Sequence, residues 1–323
     1  MCSLVDTKSP VGVWLAGELK EVTALVYANL VNKHDEVNVV CGELATYQGK
    51  MLRPSLLLLS WRMLHPSGDT PNSVRVAAGV VELIHLATLV HDDVLDEADL
   101  RRGKQTMSSL RGNEAAVILG DYLLSSAFLL CSTIKNPELN VLLGEVTNTL
   151  CAGEIVQLAN RNNVELSLEK YYQIIHDKTA SLIAACCEMG GVLGGGTLEQ
   201  VGVLRTFGDL VGAAFQIRDD LLDLLEKKER IGKPVGRDLE KGKLTLPIII
   251  LLESKPELQT EVVCAIKNND RVALLKLMDS TDSVERAMLE VGSLVSKATG
   301  GIEEWFSNDA SRQLCCMVEQ LKS

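Results

Sequence analysis

The sequence predicts an all-α protein, a large helical bundle, and three observations lead to this fold class. Apolar residues recur at three- and four-residue spacing along nearly the whole chain, whereas the alternating pattern of strands is scarce. Prolines number only eight, and most of them stand at plausible helix edges. Two long segments, 74–91 and 199–225, are apolar nearly all round, which is typical of helices in the middle of a bundle.

Local signals place several helix ends. The pair Asn136-Pro137 predicts a helix start, with Asn as the cap and Pro at the first helical position. Glycines at 190–191 and 194–196 are expected to end one helix, and Thr197–Gln200 has the capping-box spacing that starts the next. We interpret these glycines as a helix-helix turn and not as a phosphate-binding loop, since no strand precedes them. Turns between surface helices are expected at 267–270 and 279–282.

Length and composition bound the class of protein. A chain of 323 residues with 46% hydrophobic content can bury a sizeable core, and without a repeat or clear linker we treat 1–323 as one helical domain. The net charge of -11 argues against nucleic acid or anionic membrane as the main partner. Charged residues interrupt the apolar runs before the ~18 residues of a membrane span, and no secretory signal is visible, so we predict a cytoplasmic protein without a transmembrane segment. The nine cysteines are expected to be reduced, mostly buried thiols.

Each of the two central helices ends in the same acidic pattern, Asp-Asp-x-x-Asp, at 92–96 and 219–223. Because positions i and i+4 share one helix face, Asp92 with Asp96, and likewise the outer pair of the second pattern, present two carboxylates to one point. Hard oxygen ligands of this kind select magnesium or a similar ion. One such cluster alone would fit a solvated helix end. Two clusters after long apolar helices favour a diphosphate held between metal ions.

Basic and polar side chains supply what a diphosphate needs beyond metal, since Arg forks suit phosphate oxygens and Lys provides a point charge. Taken singly, each basic residue is more readily interpreted as an ordinary surface charge. His85 forms with Glu82 one Glu-x-x-His, the half-site of di-iron bundle proteins, but the chain has no second one. We therefore interpret His85 as a hydrogen-bond donor to phosphate, with a satisfied core histidine as the alternative. The other candidates are Lys50, Arg53, Arg101, Arg102, Lys178, Thr179, Gln216, Lys233 and Lys243.

Five ordered motifs resemble those of the trans-isoprenyl diphosphate synthases, the polyprenyl diphosphate synthases of long-chain type: GKMLRP, HDDVLDEADLRRG, HDKTA, FQIRDDLLD and GKPVGRDLEKGKLTLP. The resemblance runs from Gly49 to Pro247. It implies a helical bundle around a deep central cavity, a homodimer, and head-to-tail condensation of isopentenyl diphosphate with an allylic diphosphate such as farnesyl or geranylgeranyl diphosphate. It also implies a Mg²⁺ requirement, with three ions when substrate is bound, and transient membrane contact for product release.

The resemblance also assigns roles to individual residues. Magnesium would be bound by Asp92, Asp96 and Asp219, while Asp93, Asp220 and Asp223 would support the metals or their waters. The residues that match contacts to the allylic substrate are Arg101, Lys178, Thr179, Gln216, Lys233 and Lys243. The metal-free pocket for isopentenyl diphosphate would comprise Lys50, Arg53, His85 and Arg102. Loss of diphosphate leaves an allylic cation, which the isopentenyl double bond attacks, and Thr179 and Gln216 are candidates for stabilising that cation or moving the proton.

The growing tail is expected to run down the first-motif helix away from Asp92. Ala87 and Thr88 are small, at positions where shorter-chain relatives often carry an aromatic floor. One helical turn advances ~5 Å, roughly an isoprene unit. Deeper layers of this path are Leu83 with Ile84, and a candidate floor on the neighbouring helix is Phe128. We therefore predict a product longer than geranylgeranyl diphosphate, such as a quinone side-chain precursor. The alternatives are that Ala87 and Thr88 merely pack against another helix, and a geranylgeranyl diphosphate synthase.

Three other classes share part of the pattern. A terpene cyclase would have the fold and the first acidic cluster, but its second metal motif is usually of the Asn/Ser/Glu type. A non-catalytic subunit of a heteromeric synthase tends to lose the acidic clusters, and both are intact here. A general metal-binding helical protein would not need the ordered Arg and Lys set.

Overall fold

The structure, a computed structural model, describes residues 9–47, 49–225 and 236–322, and within these ranges the chain is helical almost throughout. The α-helices are α1 (Pro10–Leu30), α2 (Asp35–Gly42), α3 (Leu52–Leu64), α4 (Asn72–Leu95), α5 (Met107–Arg111), α6 (Asn113–Ser132), α7 (Pro137–Ala159), α8 (Leu168–Ile175), α9 (Ser181–Leu193), α10 (Leu198–Leu225), α11 (Arg237–Glu240), α12 (Leu246–Ser254), α13 (Gln259–Lys267), α14 (Arg271–Asp279), α15 (Ser283–Trp305) and α16 (Asp309–Glu319).

Short elements complete the described chain. Two strands of two residues each, β1 (Leu100–Arg101) and β2 (Lys104–Gln105), pair antiparallel just after α4. A π-helical segment, His176–Ala180, joins α8 to α9, and such segments are frequent at functional sites. The all-α class predicted from the helical periodicity is confirmed.

The two segments predicted to lie inside the bundle do so. Helix α4 packs against α1, α3 and α6, and helix α10 packs against α9 and α15. Side chains on all faces of α4 are buried, among them Val80, Leu83 and Ile84. Full burial of each such side chain stabilises the fold by about 2 kcal/mol relative to exposure. These two helices form the centre of the core. They also bring both acidic patterns to the ends of interior elements.

Most predicted helix ends are confirmed. The Asn136 side chain accepts from the Glu138 N–H at 3.0 Å at the start of α7. At the start of α10, Thr197 and Gln200 form the reciprocal capping box, with N–O distances of 3.3 Å and 3.0 Å. Turns also separate α13 from α14 and α14 from α15, as predicted.

The helix end predicted at the glycines 190–191 is wrong, because α9 continues past them to Leu193. A Cβ atom added at Gly190 would lie 2.7 Å from the Ser60 Cβ atom in α3. These glycines therefore allow close packing of α9 against its neighbour and do not end the helix. Gly195, with φ of +64°, lies in the turn that does separate α9 from α10.

Thiols and apolar helices complete the description. All eight described cysteines are free, and five of them are buried, as predicted. By length and composition α4 and α6 could each cross a membrane, contrary to the expected early interruption of every apolar run. A single charged residue such as Glu82 lowers the hydropathy of such a helix only slightly. The apolar window of α4 is 72% buried inside the protein, as befits a core helix, whereas that of α6 is 39% buried.

Candidate active site

The first acidic cluster lies at the end of α4, and its second carboxylate turns away from the other two. Asp93 is 2% exposed, and the Arg101 Nε atom donates to both of its carboxylate oxygens at 3.0 Å. The Arg101 Nη2 atom adds a contact of 2.8 Å. Asp93 points towards Arg101 because one position along a helix rotates the side chain by about 100°. Its predicted support of the metals or their waters stays a prediction. Asp92 and Asp96 remain as the pair on the other face.

The second acidic cluster also buries its middle member. Asp220 is 6% exposed, and its two carboxylate oxygens accept from the Tyr171 hydroxyl and from the Gln216 amide, each at 2.7 Å. The Thr179 hydroxyl in turn donates to the Gln216 carbonyl oxygen at 2.7 Å. Burial, with the nearby charge of Asp238, raises the pKa of Asp220 well above its usual range. Asp220 thus anchors a hydrogen-bonded chain and lines the same cavity as Lys178 and Lys243, and its predicted support of the metals or their waters stays a prediction.

Asp223 caps the start of α11. Its carboxylate accepts the backbone N–H groups of Arg237 at 3.3 Å and Asp238 at 3.0 Å. Its predicted support of the metals or their waters stays a prediction, and Asp219 remains the second cluster's candidate for direct metal binding. Lys233 lies outside the described residues.

A carboxylate that the sequence prediction missed, Asp238, lies between the two clusters. The Lys243 Nζ atom is 3.3 Å from the Asp96 Oδ1 atom and 3.7 Å from the Asp238 Oδ1 atom. Burial raises the pKa of Asp238 to about 6; Lys243 opposes the shift, whereas Asp223 and Asp219 add to it. Lys243 therefore connects the end of α4 to α11. The segment GRDLEKGK carried the signal for Asp238.

The π-helical segment places Lys178 against α7. A Cβ atom on Gly153 would lie 2.9 Å from the Lys178 backbone nitrogen, so the two elements approach closely only because that residue is glycine. The Lys178 Nζ atom contacts the Glu154 Oε2 atom at 2.6 Å and the Gln157 Oε1 atom at 2.7 Å. Burial lowers the pKa of Lys178, but the negative charges of Asp92 and Glu154 outweigh burial, so the pKa of Lys178 is raised overall. The sequence prediction missed both partners, which carry no motif of their own.

A cationic pocket adjoins the acidic clusters. Within the described residues, the Arg53 Nε atom and the His85 Nδ1 atom are buried without a hydrogen-bond partner. Burial, then Arg53, Arg101 and Arg102, lower the pKa of His85 well below its usual range, so the imidazole is neutral at pH 7. A Cβ atom on Gly49 would lie 3.2 Å from the Arg102 Nη2 atom. Lys50 follows Gly49 and is exposed. Arg53 and Arg102 thus lie close enough to His85 to shift its pKa, Lys50 is placed only by its position next to Gly49, and the role of the four residues stays a prediction.

The expected tail path is placed in part as predicted. Leu83, Ile84 and Ala87 are buried, and the half-buried Thr88 donates its hydroxyl to the His85 carbonyl oxygen at 2.8 Å. Phe128, however, is 40% exposed on the outer face of α6, so it cannot close the interior of a single chain. Periodicity did not show this orientation because α6 is apolar on both faces, and the role of Phe128 as a floor stays a prediction. The inward residues of α6 are Leu119, Leu123, Ala127 and Leu130.

The donor chemistry of the acidic clusters fits a magnesium ion. Across 9–47, 49–225 and 236–322, no three His, Cys, Asp or Glu side chains converge as a preformed metal site. The available ligands are carboxylate oxygens, which Mg²⁺ prefers, and Mg²⁺ needs only one or two of them beside water and phosphate. Burial raises the pKa of Asp92; the charge of Lys178 opposes this shift and that of Glu154 adds to it. A nearby cation would therefore stabilise the ionised form of this carboxylate. The residues placed to hold such ions are Asp92, Asp96, Asp219 and Asp238.

Paired carboxylate clusters and an adjoining cationic pocket inside an all-α bundle define a class of enzyme that acts on diphosphates, and comparison with known proteins agrees. Residues 34–278 match the family model described as polyprenyl synthetase. The chain is 34% identical over 280 residues to octaprenyl diphosphate synthase of Escherichia coli K12, with 86% of this chain and 84% of that protein covered. It is 35% identical over 254 residues to heptaprenyl diphosphate synthase component 2 of Bacillus subtilis 168, with coverages of 77% and 72%.

A solved structure agrees with the sequence relatives. The crystal structure of a decaprenyl diphosphate synthase from Rhodobacter capsulatus superposes with a TM-score of 0.88 at 31% identity, covering 95% of this chain and 96% of that one. The chain therefore belongs to the polyprenyl synthetase family and is a prenyltransferase. The family, fold class and enzyme class predicted from the motifs are confirmed.

Proposed function

We propose that the protein is a magnesium-dependent trans-polyprenyl diphosphate synthase that condenses isopentenyl diphosphate head to tail with farnesyl or geranylgeranyl diphosphate. The observation that carries the proposal is the presence of two adjoining sites of different charge. One combines Asp92, Asp96 and Lys243, and the other combines Arg53 with the neutral His85. Two diphosphates, one held through metal and one held directly by cations, need such a pair of sites.

The allylic diphosphate binds at the acidic site, with Lys178 and Lys243 beside it. Bound Mg²⁺ supplies charge neutralisation to the leaving diphosphate. As the allylic carbon–oxygen bond breaks, the two lysines stabilise the negative charge that develops on the bridging oxygen, in a site largely closed to water. Arg53 and His85 hold isopentenyl diphosphate by its own diphosphate, so that its double bond faces the allylic cation. The new carbon–carbon bond forms there, and the departing diphosphate accepts the proton.

The hydrogen-bonded chain from Thr179 to Asp220 fixes the Gln216 amide in one orientation. A fixed amide dipole beside the reacting carbons stabilises the cation or guides the proton. Thr179→Ala or Gln216→Ala should therefore lower kcat far more than substrate affinity in steady-state kinetics. An unchanged kcat would remove this role from both residues.

We propose a product longer than geranylgeranyl diphosphate, the length class of a quinone side-chain precursor. Ala87 is small and buried, which supports an open path for the tail. The relatives described above are named for products of seven, eight or ten isoprene units. Ala87→Phe should shorten the product. Phe128→Ala is the matched control, because its side chain faces outward and should leave the product length unchanged. An unaltered product in Ala87→Phe would mean that the tail does not pass there.

We also propose that the enzyme acts in the cytoplasm as a homodimer, with transient membrane contact for product release. Support comes from an exposed apolar face on α6 and α7 that a second copy would cover, comprising Val117, Ile118, Leu129, Val141 and Ile155. Ile118→Glu should yield a monomer in light scattering. Leu198→Glu, at an 89% exposed position at the start of α10, serves as the control. A dimer that survives Ile118→Glu would exclude this face.

The decisive assay incubates the purified protein with Mg²⁺, labelled isopentenyl diphosphate and farnesyl diphosphate, and sizes the products after phosphatase treatment. Alcohols longer than geranylgeraniol support the whole proposal, whereas geranylgeraniol alone keeps the reaction and overturns the chain length. Diphosphate release without isopentenyl diphosphate would indicate a cyclase. No product with any primer would indicate a non-catalytic subunit.

A further inference from the structure

A guanidinium outside all of the motifs lies beside the first acidic cluster. Arg161 follows the end of α7, and its Nη2 atom is 3.9 Å from the Asp96 Oδ1 atom. Both its Nε and Nη2 atoms are buried without a hydrogen-bond partner among the described residues. The distance to Asp96 is too long for a hydrogen bond, so charge attraction alone links the two side chains.

The backbone around Arg161 is held in place by the loop that carries Lys243. Asn162, in the left-handed region with φ of +59°, donates its N–H to the Gly242 carbonyl oxygen at 2.7 Å. Two loops joined by this bond therefore present two cations, Arg161 and Lys243, to the same carboxylate, Asp96. The backbone next to Arg161 is therefore fixed relative to the loop that carries Lys243.

Buried guanidinium donors without acceptors are unfavourable unless an acceptor arrives. Asp96 cannot satisfy both of them at its present distance. A diphosphate held beside Asp96 offers several anionic oxygens, and the planar fork of arginine suits two of them at once. The pocket of Arg53 and His85 belongs to other elements, α3 and the middle of α4, so the allylic diphosphate is the one that Arg161 can reach.

We propose that Arg161 is a further binding residue for the allylic diphosphate: it balances the charge of Asp96 in the free enzyme and donates to diphosphate oxygens in the substrate complex. This inference rests on the proposed function, in which the acidic site takes that substrate. It predicts that Arg161 contributes to binding of the diphosphate group itself and not of the hydrocarbon tail.

The test compares Arg161→Gln with Arg205→Gln by calorimetry, using inorganic pyrophosphate with Mg²⁺ as the ligand. Arg205 pairs with Glu188 at 3.1 Å and lies fourteen positions before Asp219 on α10, roughly 20 Å along that helix, so its substitution removes the same charge far from the site. Losing a charge-assisted, forked hydrogen bond should weaken pyrophosphate binding by about tenfold to a hundredfold in Arg161→Gln. Arg205→Gln should bind as the wild type does, and the KM for isopentenyl diphosphate should not change in either variant.

Equal pyrophosphate affinity in Arg161→Gln and wild type would overturn the inference. If Arg161→Gln does not fold, the test uses Arg161→Lys, which keeps the charge but lacks the planar fork. We expect this variant to bind pyrophosphate about fivefold more weakly. Full affinity would overturn the inference. Wild-type protein that neither binds pyrophosphate with Mg²⁺ nor forms product would instead contradict the proposed function. Wild-type binding with an unaffected Arg161→Gln would contradict only the role of Arg161.

Discussion

The two Asp-Asp-x-x-Asp patterns have the same spacing but different surroundings. In each, the middle carboxylate is buried and hydrogen-bonded to neighbouring side chains. Asp93 is paired with a cation, Arg101, whereas Asp220 accepts from two neutral groups, the Tyr171 hydroxyl and the Gln216 amide. The comparison shows that neighbours supplied by distant elements, and not the pattern itself, decide what each carboxylate does.

The third carboxylates differ as well. Asp96 stays at the site with Lys243 beside it, while Asp223 caps the backbone of α11. The first cluster thus leaves two carboxylates as metal candidates, whereas the second leaves Asp219, with Asp238 nearby. The second pattern puts one of its outer carboxylates to a structural use, as the cap of α11.

The largest expected effect tests the part of the first cluster that faces the site. Asp92→Asn removes a charged oxygen ligand and should lower kcat/KM by about 10³-fold, as loss of a charge-stabilising group typically does. Steady-state kinetics with saturating Mg²⁺ would measure it. Asp279→Asn, at an exposed position at the end of α14, is the matched control and should leave kcat/KM unchanged. A loss below tenfold in Asp92→Asn would mean that Asp92 holds no metal.

A smaller effect, on stability, tests the buried ion pair. Asp93→Asn leaves the Arg101 charge without its carboxylate, and breaking a largely buried pair in this way should cost about 2 to 3 kcal/mol of unfolding free energy. Denaturant unfolding with Mg²⁺ chelated would measure it. The double variant Asp93→Asn with Arg101→Gln should recover part of the loss. Equal losses in the single and double variants would show that the pair is not the source.

The sequence predicted those features of fold and site that depend on spacing alone. Helical periodicity located α4 and α10, and the i, i+4 rule correctly placed Asp92 and Asp96 on one face. Motif resemblance then brought Lys178 and Lys243 to the site, where the structure finds both. Such features can be predicted because a helix by itself fixes the relative direction of its side chains, without any tertiary contact.

Features that depend on contacts between distant elements could not be predicted in this way. Asp93 meets Arg101 only because β1 folds back on α4, and Asp238 reaches the site only through α11 and its cap on Asp223. The outward direction of Phe128 could not be predicted for a related reason, since α6 carries apolar residues on both faces and the sequence does not show which face points inward. Arg161 carries no motif and becomes visible only through its distance to Asp96.

The smallest expected effect is on the pH dependence of stability, in which the middle carboxylates Asp93 and Asp220 should differ. Because burial raises the pKa of Asp220 above its unfolded value near 3.9, its stabilising contribution is complete below that value and is lost as pH rises through the folded pKa. With Mg²⁺ chelated, wild-type stability should therefore fall with rising pH in this window relative to Asp220→Asn. At pH 7 the amide, a neutral match for the protonated acid, should change stability by less than about 1 kcal/mol. Because the charge of Asp238 contributes to the raised pKa of Asp220, both proteins carry Asp238→Asn as well, so that the difference between the two curves reports on Asp220. Parallel curves would mean that Asp220 is ionised in the fold, and the contrast with Asp93 would then lie in geometry alone.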